Sequence, residues 1–184
     1  MAGLIAADAY EKLKRLRVLI LDVDGVLTDG LVFWVEGTGW TRFFSVKDGY
    51  GLKLLMKAGV QVGIISGGDS QSVRERGKLL GVQHIYLGDE NKIIAYEKIK
   101  TAINASDDEI GFVGDELFDI PVLKESGFSA TVPHAVHEVK EVVDYIASEP
   151  GGRGAVREIA DMIRYAKEGK TFDEYKKIYE KNHY

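Results

Sequence analysis

The chain has 184 residues, 45% of them hydrophobic and 29% charged, which suits one globular domain and excludes a disordered or fibrous protein. It contains no cysteine, so disulfides, thiolate zinc sites and cysteine nucleophiles are excluded. A net charge of −5 and a pI near 5.4 argue against non-specific nucleic-acid binding, and no apolar run approaches the ~20 residues that cross a bilayer.

The opening stretch lacks the basic start and continuous apolar run of a signal peptide. A cytoplasmic protein with a single domain over 1–184 is expected. Ala6–Leu16 carries apolar residues at helical spacing and predicts a short amphipathic helix. Val18-Leu19-Ile20-Leu21 then forms a continuous apolar run that stops at Asp22, the pattern of a parallel strand buried on both faces. The pattern returns at Val60–Ile65, ending at Ser66, and at Gly111–Val113, ending at Gly114-Asp115. Shorter candidates are His84–Leu87, Phe128–Thr131 and Val142–Ile146, and helical patterns occupy Gly51–Lys57, Ser70–Leu80, Ile93–Ile103, Asp119–Glu125 and Ala135–Val142. Such alternation predicts an α/β fold with a doubly wound parallel sheet, in which ligands bind beyond the carboxyl ends of the strands. Asp22, Ser66 and Asp115 all fall at such ends.

One stretch, 31–46, breaks the alternation. Leu31–Val35 and Trp40–Val46 flank Glu36-Gly37-Thr38-Gly39 and read as a protruding β-hairpin in the slot where a cap domain would be inserted. Its two Trp and three Phe are more apolar surface than a lone hairpin can hide. Either it folds onto the chain's own core or it is buried against another subunit, and the number of aromatics favours the second. The tail, 164–184, is charged and tyrosine-rich, with a helix to about Lys167 and a second from Phe172.

The chemistry concentrates at the strand ends. Asp22-Val23-Asp24-Gly25 sets two carboxylates at spacing i, i+2 where Gly25 allows a tight turn. Ionised together they repel, so a cation belongs between them, and an all-oxygen site suits Mg2+. A lone pair of this kind is common in acidic loops; three further features strengthen it. Ser66-Gly67-Gly68 offers a hydroxyl and free amides at a helix start, a phosphate cradle or a simple N-cap. Lys92 also opens a helix, where its ammonium could neutralise a phosphoryl group or merely face water. Asp115 and Asp119 again place carboxylates past a strand, four residues apart.

In order, these residues match the four motifs of the haloacid dehalogenase superfamily of phosphohydrolases, which the chain resembles from Arg17 to about Ile146. The resemblance implies a Rossmann-like fold without a cap domain. It implies Asp22 as nucleophile, Asp24 as general acid and base, and Ser66 and Lys92 as holders of the phosphoryl oxygens. Mg2+ would sit between the Asp22 and Asp115 carboxylates and the Asp24 carbonyl, with Asp119 orienting Lys92 or metal-bound water. A closer likeness lies in Asp24–Gly30, the hairpin, Val46–Gly51 and Gly151–Glu158. These are similar to the capless 3-deoxy-D-manno-octulosonate 8-phosphate phosphatase family of lipopolysaccharide precursor synthesis. That likeness implies a sugar-acid phosphate as substrate, contacted by Asp24, Ser45, Val46, Lys47, Asp48, Gly49, Lys53, Ser66, Gly67, Arg76, Lys92 and Arg153. It also implies a homotetramer joined through the hairpin.

Departures from the family pattern are Gly68, where relatives often carry Arg, and Lys47 and Lys53 at positions where Arg is common. A phosphatase of nine-carbon sialic-acid-like 9-phosphates is the nearest competing reading. A phospho-accepting receiver module is the rival from another class, but its paired acids adjoin one another and its phosphorylated Asp follows a later strand. A catalytically silent subunit kept for assembly has no need of all five of Asp22, Asp24, Ser66, Lys92 and Asp115.

Overall fold

The computed structural model describes residues 7–169. The second tail helix expected from Phe172 lies outside the described residues.

Helix α1 (Ala7–Arg15) leads into strand β1 (Val18–Leu21), whose four side chains are fully buried. A two-stranded hairpin follows, β2 (Phe33–Val35) and β3 (Gly39–Thr41), then α2 (Val46–Lys57) and β4 (Gln61–Ser66). The chain continues through α3 (Gln71–Leu80), β5 (His84–Leu87), α4 (Lys92–Ile103) and β6 (Ile110–Val113). It ends with α5 (Ile120–Glu125), β7 (Phe128–Thr131), α6 (His137–Lys140), β8 (Tyr145–Ile146) and α7 (Ala155–Glu168).

Six strands form one sheet in the order β5-β4-β1-β6-β7-β8, every neighbouring pair parallel. From β1 the chain winds outward in one direction through β4 and β5. It then returns to β6 on the other side, so β1 and β6 flank the topological switch point. The register pairs Leu21 with both Ile64 and Val113, which brings the carboxyl ends of β4, β1 and β6 level with one another. The doubly wound α/β fold expected from the alternation is the one observed.

Several boundaries differ from the sequence reading for identifiable reasons. Helix α2 begins at Val46 rather than Gly51, because Ser45 caps it by accepting the Asp48 amide at 3.2 Å. Gly49 and Gly51 disguise this turn. Glycine stands at both positions because the neighbours crowd any side chain: a Cβ at Gly49 would strike the Arg76 guanidinium, and one at Gly51 would lie 2.7 Å from Arg157 Cδ. The hairpin strands stop at Thr41, since Ser45 already belongs to the helix cap. The expected strand at Val142–Ile146 shrinks to Tyr145–Ile146, because Asp144 spends its backbone and side chain on Ser129. The helix predicted to end near Lys167 reaches back to Ala155, packing against α1 and α2.

Candidate active site

Each strand ending at the switch point delivers one functional group. Asp22 leaves β1 with its amide held by the Val113 carbonyl at 2.9 Å, which fixes it beside β6. Ser66 is the last residue of β4 and accepts the Gly68 amide on its Oγ at 3.3 Å, folding the Ser66-Gly67-Gly68 turn back on itself. Lys92 opens α4, and its side chain is fully buried. Its Nζ lies 2.5 Å from Asp22 Oδ1 and 2.6 Å from Asp119 Oδ1, with the Phe118 ring centroid at 4.5 Å. Lys92 is therefore a buried bridge and not a solvated surface lysine.

Asp119 is fully buried, and its Oδ2 accepts the amides of Asp115 and Glu116 at 3.0 and 3.1 Å. With its other oxygen on Lys92, Asp119 has little left for a metal, in keeping with an orienting role. Asp115 is different: among the described residues its buried Oδ1 has neither a hydrogen-bond partner nor an ion pair. Oxygens of Asp22, Asp115 and Asp119 all lie within 4.8 Å of one another. With Asp119 engaged by Lys92, the Asp22 and Asp115 carboxylates are the oxygen donors that fit a hard divalent cation such as Mg2+.

Electrostatics point the same way. Burial pushes the Asp22 carboxyl above its ordinary range, the Lys92 ammonium pulls it down, and Asp119 pushes it up again. Asp115 is raised by burial and then by the nearby charge of Asp22. Burial works against the charged form of Lys92, but Asp22 and Asp119 outweigh it and hold the ammonium above its usual pKa. A cation is what lets Asp22 and Asp115 both ionise at neutral pH.

Gly25 sits at φ +90, and a Cβ there would run into the Asp115 carboxylate. It thus serves both the turn and the close approach of the two acidic loops. The Gly151-Gly152 segment packs on the same loop, with the Gly152 amide on the Val26 carbonyl at 2.9 Å, and so lies over the Asp24–Thr28 turn.

These groups surround a pocket of about 320 Å3, lined by Asp22, Asp24, Gly25, Gly30, Ser66, Gly67, Gly68, Glu90, Asp115, Glu116 and Phe118. The expected Asp22, Asp24, Ser66, Gly67 and Asp115 are there, with Lys92 held against them through Asp22. Other expected substrate contacts fall outside this lining. Val46, Lys47, Lys53 and Arg153 are exposed, and Arg153 pairs with Asp29 at 3.4 Å. Arg76 donates to the Ser45 carbonyl at 2.9 Å. Asp48 and Gly49 are buried within the chain, Asp48 accepting the Arg157 amide at 2.9 Å to tie α2 to α7.

The sequence reading passed over Glu90, Glu116 and Phe118, although each adjoins a motif residue. It also passed over Arg42, whose Nε and Nη2 lie 2.5 and 2.7 Å from Asp24 Oδ1 and Oδ2. The available signal was that Arg42 is the sole charged residue between Trp40 and Val46.

Comparison with known proteins agrees with this geometry. Residues 80–159 match the family model for haloacid dehalogenase-like hydrolases. The chain is 38% identical over 164 residues to the 3-deoxy-D-manno-octulosonate 8-phosphate phosphatase of Escherichia coli K12, covering 89% of this chain and 87% of that one. The Moraxella catarrhalis phosphatase of the same name, solved in complex with a magnesium ion, a phosphate ion and a KDO molecule, superposes with a TM-score of 0.87 at 33% identity. That match covers 94% of this chain and 98% of the other. The cobalt-bound form of the Haemophilus influenzae phosphatase gives a TM-score of 0.82 at 37% identity, covering 85% and 92%. With the four motifs assembled at one switch point and this likeness running along most of its length, the chain belongs to the 3-deoxy-D-manno-octulosonate 8-phosphate phosphatase family of haloacid dehalogenase-like hydrolases.

Proposed function

We propose that the protein is a Mg2+-dependent phosphatase that hydrolyses 3-deoxy-D-manno-octulosonate 8-phosphate to the free sugar acid and phosphate, a step of lipopolysaccharide precursor synthesis. The observation that carries the reading is the buried Asp22–Lys92–Asp119 cluster beside the partnerless oxygen of Asp115, with Asp22 and Asp115 lining the pocket. The relatives' shared name and the ligands of the Moraxella complex support the substrate.

An Asp22 carboxylate oxygen attacks phosphorus, and the ester P–O bond breaks as the aspartyl-phosphate forms. Asp24 gives its proton to the departing sugar oxygen. It then takes one from water, which attacks phosphorus, breaks the Asp22–phosphorus linkage and releases phosphate. Lys92 keeps Asp22 oriented and offsets its charge; the Ser66 hydroxyl and the Gly67 amide hold phosphoryl oxygens. Bound by Asp22, Asp115 and the Asp24 carbonyl, Mg2+ supplies the positive charge that lets an anionic nucleophile meet an anionic ester.

Assembly belongs to the proposal. The hairpin pairs Trp34 edge-on with Trp40 and stacks Phe33 on Phe43, yet Trp34, Trp40 and Phe43 remain 62, 57 and 70% exposed. An apolar surface of this kind fits a homotetramer joined through hairpins. Ser45, Val46, Lys47, Lys53, Arg76 and Arg153, displaced from their own pocket, would meet the sugar acid in a pocket completed by a second subunit. The domain is read as spanning 1–184, in the cytoplasm, without nucleic-acid or membrane partners. Absence of cysteine fits a reducing compartment, and no helix among the described residues is long and apolar enough to cross a membrane.

The test is Mg2+-dependent phosphate release from eight-carbon ulosonic acid 8-phosphates and nine-carbon 9-phosphates. Higher kcat/KM on the eight-carbon substrate is expected; the reverse order would replace it with the nine-carbon one.

A further inference from the structure

We propose that Arg42, carried just beyond β3, is the positioning residue that aims the Asp24 carboxylate into the pocket, making the hairpin part of its own subunit's catalytic machinery. This rests on reading Asp24 as the acid and base of the reaction.

The pairing is a fork: Nε and Nη2 of Arg42 each take one oxygen of Asp24, at 2.5 and 2.7 Å. A bidentate guanidinium fixes both the place and the plane of a carboxylate, which a single hydrogen bond does not. Among the described residues no other side chain hydrogen-bonds that carboxylate. The two partners are unequally covered, with 7% of the Arg42 side chain exposed against 36% of Asp24. Asp24 lines the pocket and Arg42 does not. The arginine is therefore the covered partner, fixing the plane of a carboxylate whose uncovered part faces the pocket.

The Ser70 hydroxyl, at the start of α3, donates to the Trp40 carbonyl at 3.1 Å and pins the end of the hairpin beside the Ser66-Gly67-Gly68 turn. Gly68 borders the pair, at ordinary contact distance: a Cβ there would lie 3.4 Å from Arg42 Nη2 and 4.0 Å from Asp24 Oδ2.

Asp24 must meet the leaving oxygen and later the attacking water, and a carboxylate free to rotate is misaimed for much of the time. Loss of alignment by about 1 Å costs on the order of a hundredfold in rate. Arg42→Ala should therefore lower kcat for the sugar-acid phosphate about ten- to a hundredfold, with KM and inhibition by inorganic phosphate changed less than about threefold. The defect should depend on the leaving group. The pre-steady-state burst from 4-nitrophenyl phosphate should stay near wild type, because nitrophenolate departs without a proton. In an Asp24→Asn background, adding Arg42→Ala should cost nothing further. Arg42→Lys, which keeps the charge but not the fork, should show the same leaving-group-selective loss, and it carries the test if the alanine variant fails to fold. Additive losses in the double variant, equal losses of burst rate on both esters, or phosphate inhibition weakened in step with kcat would each overturn the assignment. If Asp24→Asn were itself fully active, the reading of Asp24 would fall. If Asp24→Asn were crippled while Arg42→Ala kept full kcat, only the role of Arg42 would.

Discussion

Lys92→Met keeps most of the side-chain volume and removes only the ammonium. In the wild type that ammonium lies 2.5 Å from Asp22 and 2.6 Å from Asp119, with side-chain exposures of 0, 5 and 0% for the three residues. Taking one partner from a buried ion pair strands the others, at a cost of about 3–5 kcal/mol. In a chain of this length each kcal/mol moves Tm by ~2–4 °C, so the metal-free variant should melt roughly 6–20 °C below wild type near neutral pH. Thermal unfolding followed by circular dichroism in EDTA measures this directly. The sign of the pH dependence is a second check. Lys92 lowers the pKa of Asp22 in the wild type, so without it Asp22 protonates more readily, and the deficit should shrink as pH falls. Mg2+ should also recover part of the loss by replacing some of the missing positive charge near Asp22. A deficit below about 1 kcal/mol, or one independent of pH, would mean that the cluster is not held as described.

Three further expectations can be checked. Asp22→Asn should abolish turnover while leaving the melting curve cooperative, because an amide is a poor nucleophile; wild-type kcat in that variant would refute the covalent mechanism. The metal-free protein should lose stability as pH rises from about 4, the ordinary carboxylate range, through the raised values of about 6 for Asp22 and about 8 for Asp115, since the folded state then holds protons that the unfolded chain has released. Mg2+ should flatten that slope, and equal slopes of Tm against pH with and without it would count against a cation between these carboxylates. Replacing Trp34 and Phe43 together with Asp should dissociate the assembly and lower activity, as read by sedimentation and phosphate release; a wild type that sediments as an active monomer would refute assembly through the hairpin.

Sequence alone determined the sheet's interior and most of the catalytic set. β1, β4 and β6 were legible because a strand buried on both faces must be a continuous apolar run. Asp22, Ser66 and Asp115 stood out because each ends such a run with a polar group. Lys92 and Asp119 were legible as charges but not as a buried bridge, since Asp22 and Asp119 lie 70 and 27 residues away from Lys92 in the chain. The first turn of α2 was hidden because glycine is a poor helix former. Only the packed positions of Arg76 and Arg157 show why Gly49 and Gly51 are required there. The tertiary structure alone decided that Arg42 grips Asp24, that Gly25 makes room for Asp115, and that Asp48 turns inward to join α2 to α7. The physical reason is common to all three. Local periodicity records which face of an element avoids water, whereas a pairing across the fold depends on where the sheet order and register place two distant segments.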